Sequence, residues 1–376
     1  IYDGTFDQWQ KCMDTIVTII QSFPSIAITR TVELLNLLVA VLTDPIPNCF
    51  RLLNCLLTTL APQVSISLSS LRQTSETALP IPQTVVAQAP QFWKIISEHR
   101  STLDDIVSHD FRPEDFQSGF FKRFPLLIPF ETRLKVFRSD IKSRLTNERV
   151  EVNVHREKIL EDAFRILGMV SPRTILSHFN VKFVPEEGVD AGGPQREFFT
   201  KLVEQLFNPN YALFTASENG LSYEPNLSSY VNLEDHIKYH RFAGRIIARA
   251  IVGDINVKAH LTTALIKQIL GMKVSLRDLE SLDKDLASSL EYILENPVNS
   301  VGLTFTHEYS DLGVRRCVPL IENGANIEVT DENKSEYVDL VVNHRLIEQA
   351  KVQTEAFLEG FNSILPFDKL RLFTPT

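Results

Sequence analysis

The chain has 376 residues, of which 44% are hydrophobic and 23% are charged, and its formal net charge at pH 7 is −9. This length and composition are those of a globular protein with room for two or three cores. The acidic balance argues against a nucleic-acid-binding protein, whose affinity depends on basic patches. We therefore expect protein partners and no nucleic acid.

The cysteines and the apolar segments restrict the class of protein further. The four cysteines form no C-x-x-C pair and have no zinc spacing, so we expect no metal and no cofactor, in a reducing compartment. The most apolar window, residues 32–42, is interrupted by Glu33 and Asn36 and is too short for a bilayer. The expected location is the cytoplasm, with the nucleus left open, and no membrane partner is expected. Because the chain begins with Ile1 and has no leader segment, we expect a piece of a longer chain.

The first 90 residues differ from the rest in charge, since only ten of them are charged. Leucine-rich spacing predicts helices over 29–43 and 48–60, and we assign residues 1–71 to an upstream helical segment. This segment resembles the end of an α-solenoid, although no period repeats. Three prolines in 72–90 favour a linker or irregular segment over 72–100, in which a helix resumes at 92–99.

Residues 150–184 have the pattern strand, helix, strand. Alternation of apolar and polar residues predicts strands over 150–154 and 179–184, around an amphipathic helix over 157–167. Helical spacing predicts further helices at these positions: 130–146, 194–206, 233–252, 261–270, 285–295 and 334–365, the last as two helices. The sequence therefore predicts an α+β fold that is mostly helical.

Three local patterns could carry chemistry, and for each a structural interpretation is favoured. Gly192-Gly193 precedes Pro194 at a helix start and lacks a phosphate-loop pattern, so it indicates a turn. His236 and His240 have the i, i+4 spacing of metal ligands, but no third ligand is evident and a solvated polar face is expected. Cys317 lies in an alternating, strand-like segment and is interpreted as an ordinary strand residue rather than a nucleophile.

The segment from Asp278 to Phe305 has the clearest apolar faces. Leu286, Leu290, Ile293 and Leu294 form one helical stripe. Val301, Leu303 and Phe305 alternate as on one face of a following strand. From these residues alone, the two faces are expected to pack on each other.

Several separated motifs in one order resemble a known family. They are Ile159-Leu160-Glu161-Asp162-Ala163-Phe164, Gly188-Val189-Asp190-Ala191-Gly192-Gly193-Pro194-Gln195-Arg196-Glu197-Phe198-Phe199, Phe242-Ala243-Gly244-Arg245, Ser335-Glu336-Tyr337-Val338 and Ala356-Phe357-Leu358-Glu359-Gly360-Phe361-Asn362. Over residues 120–376 the chain resembles the larger N-terminal lobe of HECT-type ubiquitin ligases.

The resemblance implies a division of the chain and the position of the chemistry. A large helical subdomain would cover 101–258, a small subdomain that binds the ubiquitin-conjugating enzyme (E2) would cover 259–320, and 321–376 would return to the large one. In the family the nucleophilic cysteine lies on a smaller lobe that follows, so that cysteine is expected beyond Thr376 and no catalytic residue within this chain.

The resemblance also assigns binding residues. The positions that contact E2 in the family correspond to these residues: Leu286, Ser289, Leu290, Val301, Leu303 and Tyr337. The run Phe207-Asn208-Pro209-Asn210-Tyr211-Ala212-Leu213-Phe214 resembles the Nedd4-like branch, where it implies a ubiquitin exosite at Tyr211 and Phe214. An aromatic residue of that site is replaced by Ala216, and the alternative is a helix end with Phe207 and Phe214 in the core.

The implied function is recruitment of E2 by a ligase that accepts ubiquitin as a thioester and transfers it to a substrate lysine. The implied partners are E2, ubiquitin and a protein substrate. The fragment by itself is expected to be inactive. The alternative is a non-catalytic helical scaffold or interaction module.

Overall fold

The structure is a computed structural model that describes residues 34, 37–39, 41–42, 50–60, 90–112, 120–185, 193–218, 220–299 and 301–373. The chain divides into two compact units, one of residues 1–140 with 371–373 and the other of residues 141–370 with 374–376. The division falls near residue 140 rather than within the predicted linker at 72–100. No described helix is long and apolar enough to cross a membrane.

The first unit is helical. Its helices are α1 (Phe50–Leu60), α2 (Pro90–Glu98), α3 (Arg100–Asp110), α4 (Phe120–Arg123) and most of α5 (Phe130–Lys142). Aromatic rings fill its core, with Trp93 against Phe92 and Phe124 at centroid distances of 4.7 and 5.0 Å. The hydroxyl of Thr58 accepts a hydrogen bond of 2.8 Å from the backbone N–H of Phe120, which joins α1 to α4.

The helix predicted at 92–99, within the segment 72–100, is confirmed, because residues 90–98 are helical. Phe92, Trp93 and Ile96 lie on one face of α2 and are all buried, so packing stabilises this helix. Residues 72–89, and most of the predicted segment 1–71, lie outside the described residues.

The second unit begins with a parallel strand pair. Strand β1 (Arg149–His155) pairs with β2 (His178–Val184), with Val152 opposite Val181. Helices α6 (Ile159–Leu167) and α7 (Pro172–Ile175) make the crossover. Buried and exposed residues alternate along β2, which confirms the period-two prediction. Helix α8 (Gly193–Leu206) then begins beside Pro194, while residues 186–192 of the glycine motif lie outside the described residues.

A short antiparallel pair, β3 (Phe214–Ala216) and β4 (Tyr223–Pro225), leads to the long helix α9 (His236–Val252). Two arginines one turn apart on α9 cap other helices. Arg245 donates to the carbonyl of Val170 at 2.9 Å, and Arg249 donates to those of Ile175 and Ser177 at 2.8 and 3.0 Å. Burial lowers the pKa of Arg249 to about 10, and these carbonyls compensate part of the cost of its burial.

The remaining elements surround the candidate site. They are α10 (Thr263–Ile269), α11 (Leu276–Glu280), α12 (Lys284–Glu295), β5 (Thr306–Asp311), β6 (Val314–Pro319), α13 (Lys334–Asn343), a π-helical turn (His344–Glu348), α14 (Lys351–Ile364) and a 3-10 segment (Phe367–Leu372). One apolar core joins α11, α12 and α13. Residues 329–346, assigned to the large subdomain from the sequence, contribute to this core.

The α+β, mostly helical prediction is confirmed, but the strand predicted at 301–305 is wrong. The strand lies at 306–311, and in the preceding segment only Thr304 forms an isolated bridge, to Glu328. Gly302 has a φ of +72°. This left-handed conformation turns the chain and is incompatible with a strand.

Candidate docking surface

Helix α12 carries the predicted partner contacts, and both of its ends are held. The carboxylate of Asp283 accepts a hydrogen bond of 2.9 Å from the backbone N–H of Leu286, which caps the N-terminus. At the other end, the backbone and side-chain N–H groups of Asn296 donate to the carbonyl of Tyr292 at 3.0 and 2.9 Å. The side chains on this helix are therefore presented by a well-defined backbone.

The segment after α12 is tied to the start of α13. The backbone N–H of Val298 donates to Asp331 Oδ1 at 2.9 Å, and that of Asp331 donates to Asn299 Oδ1 at 2.9 Å. The Lys334 ammonium donates to the carbonyl of Asn296 at 2.7 Å. These bonds hold the loop that carries Val301 and Leu303 against the helix that carries Tyr337.

The predicted contact residues divide into two groups by exposure. Leu290 is 2% exposed and Tyr337 is 7% exposed, and both belong to the shared core of α11, α12 and α13. Neither side chain is accessible to a partner in this structure. Ser289 is exposed, Val301 is 58% exposed, and Leu286 and Leu303 are partly buried. Leu290 was predicted as a contact from the family resemblance, but it also belongs to the apolar stripe of α12, and this stripe packs against the core and buries it.

Two residues near this site were not among the predicted contacts, although Ile293 belongs to the predicted apolar stripe. Ile293 is partly buried against the same core as Leu286 and Leu303. Tyr292 is 66% exposed. We define the docking face as the accessible residues Leu286, Ser289, Ile293, Val301 and Leu303. Leu286, Ser289 and Ile293 follow one another at i, i+3 and i+7, which was the available signal.

Leu286 also borders a cavity of about 510 Å³. The cavity lies between α12, β5 and the segment after α13, and Glu224, His307 and Arg345 line it. Arg345 pairs with Glu224 at 2.9 Å. Ser228 donates to Asp311 Oδ1 at 2.6 Å, and both residues also line the cavity.

The second predicted site is only partly present on the surface. Phe214 is 4% exposed and its ring contacts those of Phe207, His240 and Phe357, as the core interpretation expected. Tyr211 is partly exposed, and its hydroxyl donates to Glu161 Oε1 at 2.7 Å. Burial and this bond to a carboxylate raise the pKa of Tyr211. Only Tyr211 of this pair is accessible to a partner.

The histidine pair on α9 does not form a solvated face, so that prediction is wrong. His240 is fully buried and His236 is partly buried. Both rings bond the hydroxyl of Ser229, at 3.2 and 2.9 Å. Burial lowers the pKa of His240 to about 3. Among the described residues, no group of three or more His, Cys, Asp or Glu side chains could hold a metal ion.

Cys317 lies on β6 as predicted and is exposed, opposite Glu308 in the ladder. Within the described part of the chain its thiol has no hydrogen-bonded base. Cys55 is 8% exposed, in the core of the first unit. Cys12 and Cys49 lie outside the described residues.

Comparison with known proteins gives the family of this region. Residues 200–376 match the family model described as HECT-domain (ubiquitin-transferase). This part of the chain belongs to the HECT family. The docking face lies entirely within the matched residues.

Similar curated proteins are E3 ubiquitin-protein ligases. The chain is 35% identical over 330 residues to a TOM1-like ligase of Neurospora crassa. This match covers 85% of this chain and 8% of that protein. It is 34% identical over 322 residues to HUWE1 of Mus musculus, covering 84% of this chain and 7% of that protein. It is 38% identical over 247 residues to RSP5 of Chaetomium thermophilum, and this match covers 65% of this chain and 30% of that protein. The chain therefore spans less than a third of the length of each of these relatives.

The motifs that resemble HECT proteins have structural roles here. Arg156 on the turn after β1 forms an ion pair with Glu197 of α8, and its guanidinium lies 4.2 Å from the Phe183 ring centroid. Phe199, two residues after Glu197, stacks on Phe179 of β2 at 5.8 Å. The Arg-Glu-Phe-Phe motif therefore fastens α8 to the parallel strand pair.

Proposed function

We propose that this HECT region recruits a ubiquitin-conjugating enzyme through the docking face. The parent protein would then accept ubiquitin from E2 as a thioester and transfer it to a lysine of a protein substrate. The proposal rests on one observation, namely an accessible apolar strip on a HECT-family region, beside α12. Docking raises the effective concentration of the E2 thioester near the acceptor cysteine, and nucleophilic catalysis divides the transfer into two acyl transfers.

The physical composition of the face suits a protein partner. Ile293, Leu303 and Leu286 offer partly exposed apolar area above a packed core, and Val301 extends it into solvent. Such a patch with a charged surround is typical of protein interfaces, in which the apolar part gives affinity and the rim gives orientation. Because Leu290 and Tyr337 are buried, we propose that they support the face from below.

The test is titration of the chain with a panel of E2 enzymes by isothermal titration calorimetry. Val301→Asp places a charge in the apolar patch at an already exposed position, and we expect binding to weaken by at least about tenfold. Val352→Asp is the matched control, because Val352 is 61% exposed on α14 and should leave binding unchanged. Equal affinities for wild type and Val301→Asp would exclude this face. Absence of binding to every E2 would support the alternative of a scaffold without E2 recruitment.

A further inference from the structure

Helix α12 carries one exposed aromatic residue, Tyr292, which is not part of the docking face defined above. Tyr292 is 66% exposed, and its side chain makes no hydrogen bond, ion pair or ring contact with the rest of the described chain. It lies two residues, about 200° around the helix axis, from the buried Leu290. It is one helical turn after Ser289, and both residues are exposed, so Tyr292 lies next to the docking face on the surface of α12.

An exposed tyrosine on a rigid helix is a suitable interface residue. Its backbone carbonyl is held by both N–H groups of Asn296, so little backbone entropy is lost when its ring is covered. Tyrosine is enriched among the residues that dominate binding energy because it combines large apolar area with a polar end. The described fold makes no hydrogen bond, ion pair or ring contact with this ring, so the fold itself gives no reason for an aromatic residue at this exposed position.

The charges around Tyr292 indicate what would cover it. Helix α12 carries one cation, Lys284, and three carboxylates, Asp285, Glu291 and Glu295. None of these three carboxylates forms an ion pair with a described residue. Glu295 is one turn after Tyr292 and is its neighbour on the helix surface, whereas Asp285 is on the same side but about 10 Å before it along the axis. An aromatic face bordered by uncompensated carboxylates favours a lysine or arginine side chain.

We infer that Tyr292 is a specificity-determining residue of the docking surface and selects E2 enzymes that present a lysine or arginine to it. The inference rests on the proposed function, since it names the feature of the E2 that this site distinguishes. The cation would lie against the ring while Glu295 provides compensating charge. The apolar docking face would supply the part of the affinity that all E2 enzymes share, and the contact with Tyr292 would set the differences in affinity between them.

The experiment is calorimetric titration of wild type and variants with the E2 panel at low and physiological salt. For the tightest E2, we expect Tyr292→Ala to weaken binding about tenfold and Tyr292→Phe, which keeps the ring, to change it less than about twofold. Tyr292→Lys should weaken it more than alanine, because the new cation repels the cation of the partner. The difference between wild type and Tyr292→Lys should shrink as salt is added.

The control is Tyr230→Ala, since Tyr230 is 50% exposed in the turn 229–231 and lies outside α12. It should bind every E2 as wild type does. If wild type binds E2 and Tyr292→Ala and Tyr292→Lys bind equally well, the inference is wrong and the proposed function stands. If wild type binds no E2 while remaining folded, the proposed function fails, and the inference fails with it.

Discussion

Leu290 illustrates how a residue can matter to a surface without being on it. Its side chain packs among Leu279, Leu282 and Tyr337 in the core beneath the docking face. The accessible residues Ile293 and Leu303 rest against this core. Loss of the Leu290 side chain would therefore act on binding through the fold.

We expect Leu290→Ala to lower the free energy of unfolding by roughly 2–4 kcal/mol, from lost burial and the cavity left behind. Chemical denaturation monitored by circular dichroism measures this change. Ser289→Ala, at the adjacent exposed position, should stay within about 0.5 kcal/mol of wild type. A Leu290→Ala protein as stable as wild type would mean that Leu290 is not a core residue.

At the scale of secondary-structure elements, the crossing of α9 and α14 holds the second unit together. The two helices approach at glycines, Gly244 on α9 and Gly360 on α14. A Cβ at Gly244 would collide with the carbonyl oxygen of Phe357, and one at Gly360 with that of Arg241. Both glycines lie in motifs that resemble HECT sequences, and the close approach of the two helices requires glycine at each position.

We expect Gly244→Ala to destabilise the protein by about 3 kcal/mol or more, because the obstructing atoms belong to a helix backbone that cannot move aside alone. Thermal or chemical unfolding measures this. Gly271→Ala is the control: Gly271 has a φ of +67° with nothing within 4 Å of the added Cβ, so it should cost only about 1 kcal/mol of backbone strain. If both variants lose the same stability, collision at the crossing is not the cause.

A pair of histidines joins β5 to the π-helical turn. The Nδ1 atoms of His307 and His344 lie 2.9 Å apart in a hydrogen bond that requires one of them to be unprotonated. Burial, with His344 and Arg345 nearby, lowers the pKa of His307 to about 4, against the opposing effect of Asp283. Burial also lowers the pKa of His344. The folded state therefore holds these rings neutral.

Stability should consequently depend on pH. Between pH 6.5 and pH 4 the unfolded chain binds a proton at His307 and the folded chain does not, so stability falls as the pH decreases. From pH 7 to pH 4.5 we expect a loss on the order of 2 kcal/mol from His307, measured by urea denaturation across this range. His307→Gln should have a shallower pH dependence in the same window. Identical slopes for both proteins would contradict this account.

At the scale of the whole molecule, the described chain has an accessible apolar strip beside α12 and one exposed cysteine, Cys317. Cys317 is exposed without a hydrogen-bonded base among the described residues, and Cys55 is buried. Catalytic cysteines are activated by an adjacent base or by a lowered pKa.

We therefore expect no ubiquitin thioester on this chain after incubation with activating enzyme, E2, ubiquitin and ATP. Non-reducing electrophoresis with intact-mass spectrometry would detect a thiol-sensitive adduct. A Cys317→Ser variant should behave like wild type. An adduct of one ubiquitin that is lost in that variant would show that Cys317 is the acceptor.

Local patterns in the sequence predicted most elements of the fold. The parallel strands 149–155 and 178–184, the helix at 284–295 and the pair of helices after residue 334 follow from apolar periodicity and from turn residues. The Asp283 cap and Pro194 mark helix starts by local chemistry. The strand at 301–305 was misplaced because the conformation of Gly302 depends on what surrounds it.

The sequence alone determined the family resemblance, the mostly helical fold and the segment that carries the docking face, because these depend on residue order and local periodicity. Only the tertiary structure decided which side of α12 is exposed. Leu290 and Tyr337 are buried between helices distant in the chain, whereas Tyr292 and Val301 are exposed. Periodicity shows which residues share one face of a helix but not how deeply each is buried, since burial depends on packing partners that lie elsewhere in the sequence.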